Sequence, residues 1–311
     1  MTTRVISDPS ALGWEFNPDS GRWDWKGDSD CPDNGGGGGS TQVEFLLNCE
    51  GAADGSQDIV DASGNHNIAI YNDVYVSTSE KKYGTGSLDF TKGDGYVSIG
   101  HSPYLTANQD INVPYTKTFA EGIPFTIEGW FNFDGTLATG NILSHDRPRS
   151  TTHQLNRGWQ IYYSSSQNLV WGISHDGYNA GPNLVIRAVL EANKWHHFAA
   201  TWDGSTYRLF VDGVMGDFYE SDQPIMSCNN SSIVVGARLN SANPNNFSGI
   251  TTPFSGYIDD LMVTNGVCKY TDDFTPPDQQ VMALRSANTS KTVVRKVDLE
   301  ITDPEDEEQS E

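Results

Sequence analysis

The stretch that most limits what this chain can fold into runs from Lys194 to Phe218, KWHHFAATWDGSTYRLFVDGVMGDF. Two Asp-Gly pairs, Asp203-Gly204 and Asp212-Gly213, divide it into three runs rich in aromatic and β-branched residues. A tight hairpin turn needs positive φ at its centre, which glycine adopts without steric cost, so the pattern predicts three antiparallel strands. Alternation places Trp195, His197, Ala199 and Thr201 on one face and His196, Phe198, Ala200 and Trp202 on the other. Large side chains on both faces predict a strand covered on both sides, inside a two-sheet fold.

The rest of the composition agrees. The 311 residues suffice for one large all-β domain with appendages. Thirty-one glycines, 34 aromatics and no long apolar segment of helical period point to many short strands joined by turns. A formal net charge of −22 argues against nucleic acid or an anionic membrane as partner, since both require clustered Lys and Arg. It leaves neutral sugars, divalent cations and basic proteins. Cys31, Cys49, Cys228 and Cys268 show no zinc spacing and are too few for a disulfide framework, so they read mostly as free thiols of a protein folded in a reducing cytosol. The N-terminal MTTRVISDPS lacks the apolar core of a signal peptide, and no 18-residue apolar run occurs.

Taken in order, residues 1–34 form an aromatic-rich segment in which Trp14, Phe16, Trp23 and Trp25 flank a turn at Asn17-Pro18-Asp19-Ser20-Gly21. It is either a small hairpin folded back on the main domain or an anchor whose aromatics fill a pocket on another protein. Residues 35–41, with five consecutive glycines, are a flexible tether. The main domain spans 42–278. Within it PFTIEGWFNF alternates Phe125, Ile127, Gly129, Phe131 and Phe133 against Thr126, Glu128, Trp130 and Asn132. A dozen or so such short strands predict an antiparallel sandwich or jelly roll. Residues 279–311 are an extension: 293–301 alternates like one more strand, for its own domain or a partner's sheet edge, and eight acids without a base from Asp298 onward make a solvated tail.

The ordered set LLNCEG, DASGN, KYGTGSLDF with GDGYVSI, PFTIEGWFNF, KWHHFAATWDGSTYRLFVDG and FSGYIDDLMVTNGVCKYTDDFTPP resembles the laminin-G-like, concanavalin-A-like jelly-roll family over roughly residues 42–278. The closing GVCKYTDDFTPP is similar to versions in bacteriophage virion proteins and bacterial surface proteins. The resemblance implies an all-β fold of two antiparallel sheets, with the first and last strands of the domain paired. It also implies a binding function toward glycans or proteins, sometimes with a structural Ca²⁺.

Catalytic constellations are weak. Asp259 and Asp260 are adjacent on a strand and so face apart, whereas a retaining glycosidase needs two carboxyls roughly 5 Å apart. The Glu-x-Asp-x-Glu pattern of related β-glucanases is missing, Glu128 stands alone on its face, no Gly-x-Ser-x-Gly occurs, and His196-His197 cannot converge on a metal. No catalytic residue is expected. For Ca²⁺, Asp54, Asp58, Asp61, Asn65 and Asn67 crowd one loop, with Asp259 on a strand the family pairs beside it; the same residues equally suit Asx turns that cap their own backbone. For a saccharide, the segment Ser144–Gly158 brings Arg147, Arg149, His153 and Arg157, and His175–Asn183 brings His175, Asp176, Tyr178 and Asn179, an aromatic among hydrogen-bonders.

These features lead to one expectation: a non-enzymatic bacteriophage structural protein on the virion surface, displaying a lectin-like domain as a capsid decoration or tail-fibre adhesin. Residues 1–40, and also 293–301, would meet other virion proteins, and a host-surface glycan would be the ligand, held weakly and multivalently by a homo-oligomer or multicopy array. Such a chain is made in the host cytoplasm. The alternatives are a ligand-free cement or fibre subunit, a glycan-degrading enzyme and a bacterial surface adhesin.

Overall fold

The computed structural model describes residues 14–17, 22–25, 42–99, 124–135, 139–146, 158–166, 168–176, 179, 181–187, 190–225, 232–239, 250–279 and 294–295. Every regular element among them is a strand.

Two large sheets carry the domain. Sheet I runs in spatial order β12 (Asn183–Ile186), β11 (Leu169–Ile173), β10 (Trp159–Tyr163), β9 (Gly140–His145), β16 (Ile233–Val235), β7 (Tyr96–Ile99), β4 (Ile68–Tyr71) and β20 (Val294–Arg295). Sheet II runs β15 (Val214–Glu220), β14 (Thr206–Val211), β13 (His196–Trp202), β8 (Phe125–Phe133), β19 (Gly256–Asn265), β6 (Ser87–Asp89) and β5 (Tyr75–Ser77), with β3 (Gln42–Leu47) also paired to β19. The β3–β19 pair joins the first and last strands of the domain, as the resemblance implied. All pairings are antiparallel except that of β20 with β4, which runs parallel and puts part of the 293–301 segment on its own chain's sheet edge. A two-stranded pair, β17 (Arg238–Leu239) with β18 (Ile250–Thr251), packs Leu239 and Ile250 onto Tyr96 and Val234 on the outer face of sheet I. Near the N-terminus β1 (Trp14–Asn17) and β2 (Arg22–Trp25) form a hairpin, and β2 lies against β3.

The core is the interdigitation of the two inner faces. Phe125, Ile127, Phe131 and Phe133 of β8, with Phe198, Ala200 and Trp202 of β13, meet Leu143, Ile161 and Trp171 of sheet I. Phe125 sits edge-on to Trp171 at 6.1 Å, and Phe133 stacks on Tyr163 at 4.5 Å. Burying this many large apolar side chains is the main driving force of the fold. The alternation read from PFTIEGWFNF and from the β13 run is the one observed.

One local geometry departs from expectation. Asp212-Gly213 is the tight turn predicted, with both residues at positive φ. Asp203-Gly204 instead opens a longer loop, tied by the Asp203 carboxylate, which accepts from the backbone N–H of Ser205 and Thr206 and from Arg208. Between the sheets, the chain leaves sheet I after Tyr71, turns at Asn72 with φ of 55°, and enters sheet II at Tyr75.

Strands β8 and β13 are buried on both faces because the chain returns over the outside of sheet II after β19. Residues 266–278 form a strap. Thr126 donates its hydroxyl to Val267 O and accepts from Lys269 N–H, Thr201 donates to Tyr270 O, and Phe274 N–H bonds to Gly213 O. Tyr270 and Phe274 stack at 3.6 Å over Phe210, and Tyr83 reaches across to Pro277 O.

Candidate functional site

The strands that flank the two segments expected to bind ligand end at the same rim of sheet I. Pairing of Trp159 with both His145 and Ile173, and of Gly172 with Asn183, brings the ends of β9, β10, β11 and β12 level. The β9–β10 segment is closed at its base by Gly158 N–H donating to Asp146 Oδ1 at 3.3 Å. Arg147, Arg149, His153, Arg157 and Tyr178 lie outside the described residues.

Of the others, Asp176 accepts from the backbone and amide N–H groups of Asn179, at 2.8 and 2.7 Å, so the pair forms an Asx turn at the loop tip. His175 points away from the rim: its ring packs on Tyr207 and Tyr219 of sheet II, and Nδ1 lies 3.1 Å from Pro224 O. It joins the two sheets.

Immediately below the rim, the outer face of sheet I carries side chains that the sequence reading did not single out. Ser144, Gln160, Gly172 and Asn183 form one cross-strand rung, and Asn141, Tyr162, Val170 and Val185 the next. Gly172 lets the two amides close over its backbone: a Cβ there would come within 2.8 Å of Asn183 Oδ1 and 3.6 Å of Gln160 Nε2. Gln160 and Tyr162 are partly exposed and Asn183 is exposed. Across β9, Arg238 of β17 pairs its Nη2 with Asp146 Oδ2 at 2.6 Å, and Asp146 is almost fully buried. Burial raises the Tyr162 hydroxyl above its ordinary pKa, and Arg238 works against that shift. Amides, a phenol and a paired guanidinium on one sheet face suit a polyhydroxylated ligand. Strict alternation in GWQIYY, with Trp159, Ile161 and Tyr163 inward, marks Gln160 and Tyr162 as outward-facing. Arg238 has no comparable signal, since its partner is distant in sequence.

Glu128 is not alone on its face. It is buried among Lys269 Nζ, Tyr270 Oη at 2.8 Å and His197 Nε2 at 3.6 Å, all under the strap. Burial by itself would raise its pKa, but the Lys269 charge and the His197 contact hold it well below the usual carboxylate range. His196 turns to Asp212 Oδ2 at 2.8 Å. The two histidines therefore serve separate carboxylates.

Asp259 and Asp260 sit at a bulge of β19, where Asp260 takes φ of 46° and strict alternation fails. Asp259 Oδ2 accepts from Lys82 and Tyr83 N–H and Oδ1 from Asp260 N–H. Its pKa is nevertheless pushed up to about 7, by burial first, against those backbone bonds and with the charge of Glu50 adding.

The residues considered for Ca²⁺ are engaged otherwise. Asp61 accepts from the N–H of Leu46, Ser63, Asn65 and His66, Asn65 donates to Val43 and Glu44 carbonyls, and Asp54 accepts from Thr78, while Asn67 is exposed. Asp259 bonds a different loop. Among the described residues no three His, Cys, Asp or Glu side chains converge as a metal site.

Two stacked antiparallel sheets with a loop-crowned rim define a jelly-roll sandwich of the lectin type. Residues 93–271, more than half the chain, match the sequence profile of Laminin_G_3, and the chain belongs to this family, described as the concanavalin A-like lectin/glucanases superfamily. No curated protein matches. Among solved structures, the chain is similar to the botulinum neurotoxin serotype D ligand-binding domain in complex with N-acetylneuraminic acid (14% identity, TM-score 0.49, 76% of this chain and 49% of that one). It is also similar to the binding domain of Paraclostridial Mosquitocidal Protein 1 (15%, 0.46, 75% and 49%). The CBM40 of the Ruminococcus gnavus IT-sialidase matches at 13% identity and TM-score 0.38, over 48% of this chain and 79% of that one. The chain spans about half the length of the two toxin domains.

Proposed function

We propose that this chain is a non-enzymatic lectin-like protein that binds saccharide at the rim of sheet I and is displayed on a virion surface. The observation that carries the binding reading is that β9, β10, β11 and β12 end level at one rim, above the Gln160–Gly172–Asn183 rung. Planar amides give a sugar paired donors and acceptors, Tyr162 adds an apolar face, and the missing side chain at position 172 lets the Gln160 and Asn183 amides lie side by side. Binding rather than hydrolysis is supported by the state of the carboxylates: Glu128 is sealed beneath the strap and Asp259 is held by three backbone N–H groups. The virion setting rests on the closing GVCKYTDDFTPP motif and on a domain type suited to display.

Glycan-array binding of the full chain tests the ligand. Gln160→Ala and Asn183→Ala are each expected to weaken binding about tenfold with the melting temperature unchanged. Signal on the array that both variants retain would move the site elsewhere. Immunogold labelling of purified particles tests the setting, and particles without the label would remove it.

A further inference from the structure

Beside the rung lie two buried polar atoms that the protein leaves unpaired. Asn141, 2% exposed, bonds Thr252 Oγ1 through one end of its amide, and the other end has no hydrogen-bond partner. The same holds whichever way round the amide is placed, because Thr252 engages only one end. Arg238 Nε is likewise buried without an acceptor, while its Nη2 lies 2.6 Å from Asp146 Oδ2 in an ion pair that lacks hydrogen-bond geometry. The two residues belong to one corner of the fold. Asn141 is the cross-strand neighbour of Tyr162, Arg238 acts electrostatically on Tyr162, and Arg238 pairs with Thr251 next to Thr252. An unpaired buried polar atom costs about 1–3 kcal/mol, so two in one corner require an explanation.

We propose, resting on the saccharide reading above, that this corner is an inner subsite that selects neutral sugars, through hydroxyls that satisfy Asn141 and Arg238 beneath Tyr162. A hydroxyl donates and accepts, which an amide end and a guanidinium N–H together require. Charge selects against acidic sugars. Among the described residues of this corner, Arg238 already carries a buried counter-ion in Asp146 at 2.6 Å, which leaves no excess positive charge there for a carboxylate. The formal charge of −22 adds long-range repulsion for any anion. Tyr162 and Arg238 both keep partial exposure beside the unpaired atoms, which are themselves buried.

The experiment measures the full chain, by calorimetry and array, against neutral gluco-, manno- and galacto-oligosaccharides and against uronate- and sialate-containing ones. Binding confined to the neutral panel and insensitive to salt between roughly 50 and 500 mM is expected. Asn141→Ala should weaken it at least tenfold. Tyr162→Phe, which removes only a hydroxyl and spares the fold, should weaken it several-fold. Binding of the acidic panel, falling with salt and still dependent on Gln160, overturns the neutral subsite and leaves the saccharide reading standing. Binding of neither panel removes both. If Asn141→Ala shifts the melting temperature but not the neutral-sugar affinity, the corner holds a structural water only and the inference is overturned.

Discussion

Lys269, on the strap that follows the last strand of sheet II, places its ammonium against the carboxylate of Glu128 in the middle of β8, and both side chains are buried. Tyr270 donates to the same carboxylate, so burial and that charge together push its hydroxyl well above its ordinary pKa. The arrangement clips residues 266–278 onto a strand that would otherwise show a charged side chain to solvent. Removing one partner strands the other in a dry site. Glu128→Leu or Lys269→Met should each cost about 3–5 kcal/mol in thermal or urea unfolding, and the double change less than the sum. Additive losses would show that the two residues do not act as a pair.

Glu128 and Asp259 make opposite contributions to the pH profile. Glu128 is held below its unfolded value, so its stabilisation is complete above about pH 4.3 and is lost as pH falls further into acid. Asp259, raised to about 7, binds a proton more readily folded than unfolded. Its contribution is full below about pH 4 and is lost as pH climbs from about 4 to 7, on the order of a few kcal/mol. Unfolding free energy measured from pH 5 to 8 should therefore carry a downward slope from this residue that Asp259→Asn flattens. An unchanged slope in the variant would refute the assignment.

Gly213 has φ of 82°, and a Cβ built there would lie 1.9 Å from Phe274 O. Gly213→Ala should therefore lift the strap at its far end while leaving β13 and β14 paired. Faster hydrogen exchange at Phe274, with the amides of Ala199 and Ala200 still protected, is the expected signature; uniform protection would contradict it.

Gly172→Ala brings a methyl within 2.8 Å of Asn183 Oδ1, so the amide must swing out of the rung. Saccharide affinity is expected to drop about tenfold while the melting temperature moves by only a few degrees. Undiminished affinity would exclude Asn183 from the seat.

Calcium should have little effect. Asp61 and Asp259 spend their oxygens on backbone N–H groups, the Asx-turn alternative to a metal site. Adding millimolar Ca²⁺ to chelator-treated protein is expected to leave the melting temperature unchanged, and a rise of several degrees would restore the metal.

The sandwich was legible because strand alternation is local: Phe125 to Phe133 and Phe198 to Trp202 announce their inward faces within nine residues or fewer. The position of the candidate site was half legible. Its loops stood out by composition, whereas Gln160 and Tyr162 looked like ordinary outward residues until β9, β11 and β12 came up beside them. The bulge at Asp259 and Asp260 was not legible, because positive φ at a non-glycine residue leaves no mark in the sequence.

The run from Lys194 to Phe218 was enough to specify paired strands, their faces and a two-sided burial, since those follow from side-chain period and turn stereochemistry. It could not say what covers the outer face. That depended on Lys269, Tyr270 and Phe274 returning from far along the chain to Glu128, Thr201 and Phe210. Likewise Arg238 and Asp146, or Asn141 and Thr252, become partners only when β17 and β18 fold over sheet I. Periodicity is written residue by residue, but charge pairing and unpaired buried atoms belong to contacts between distant segments.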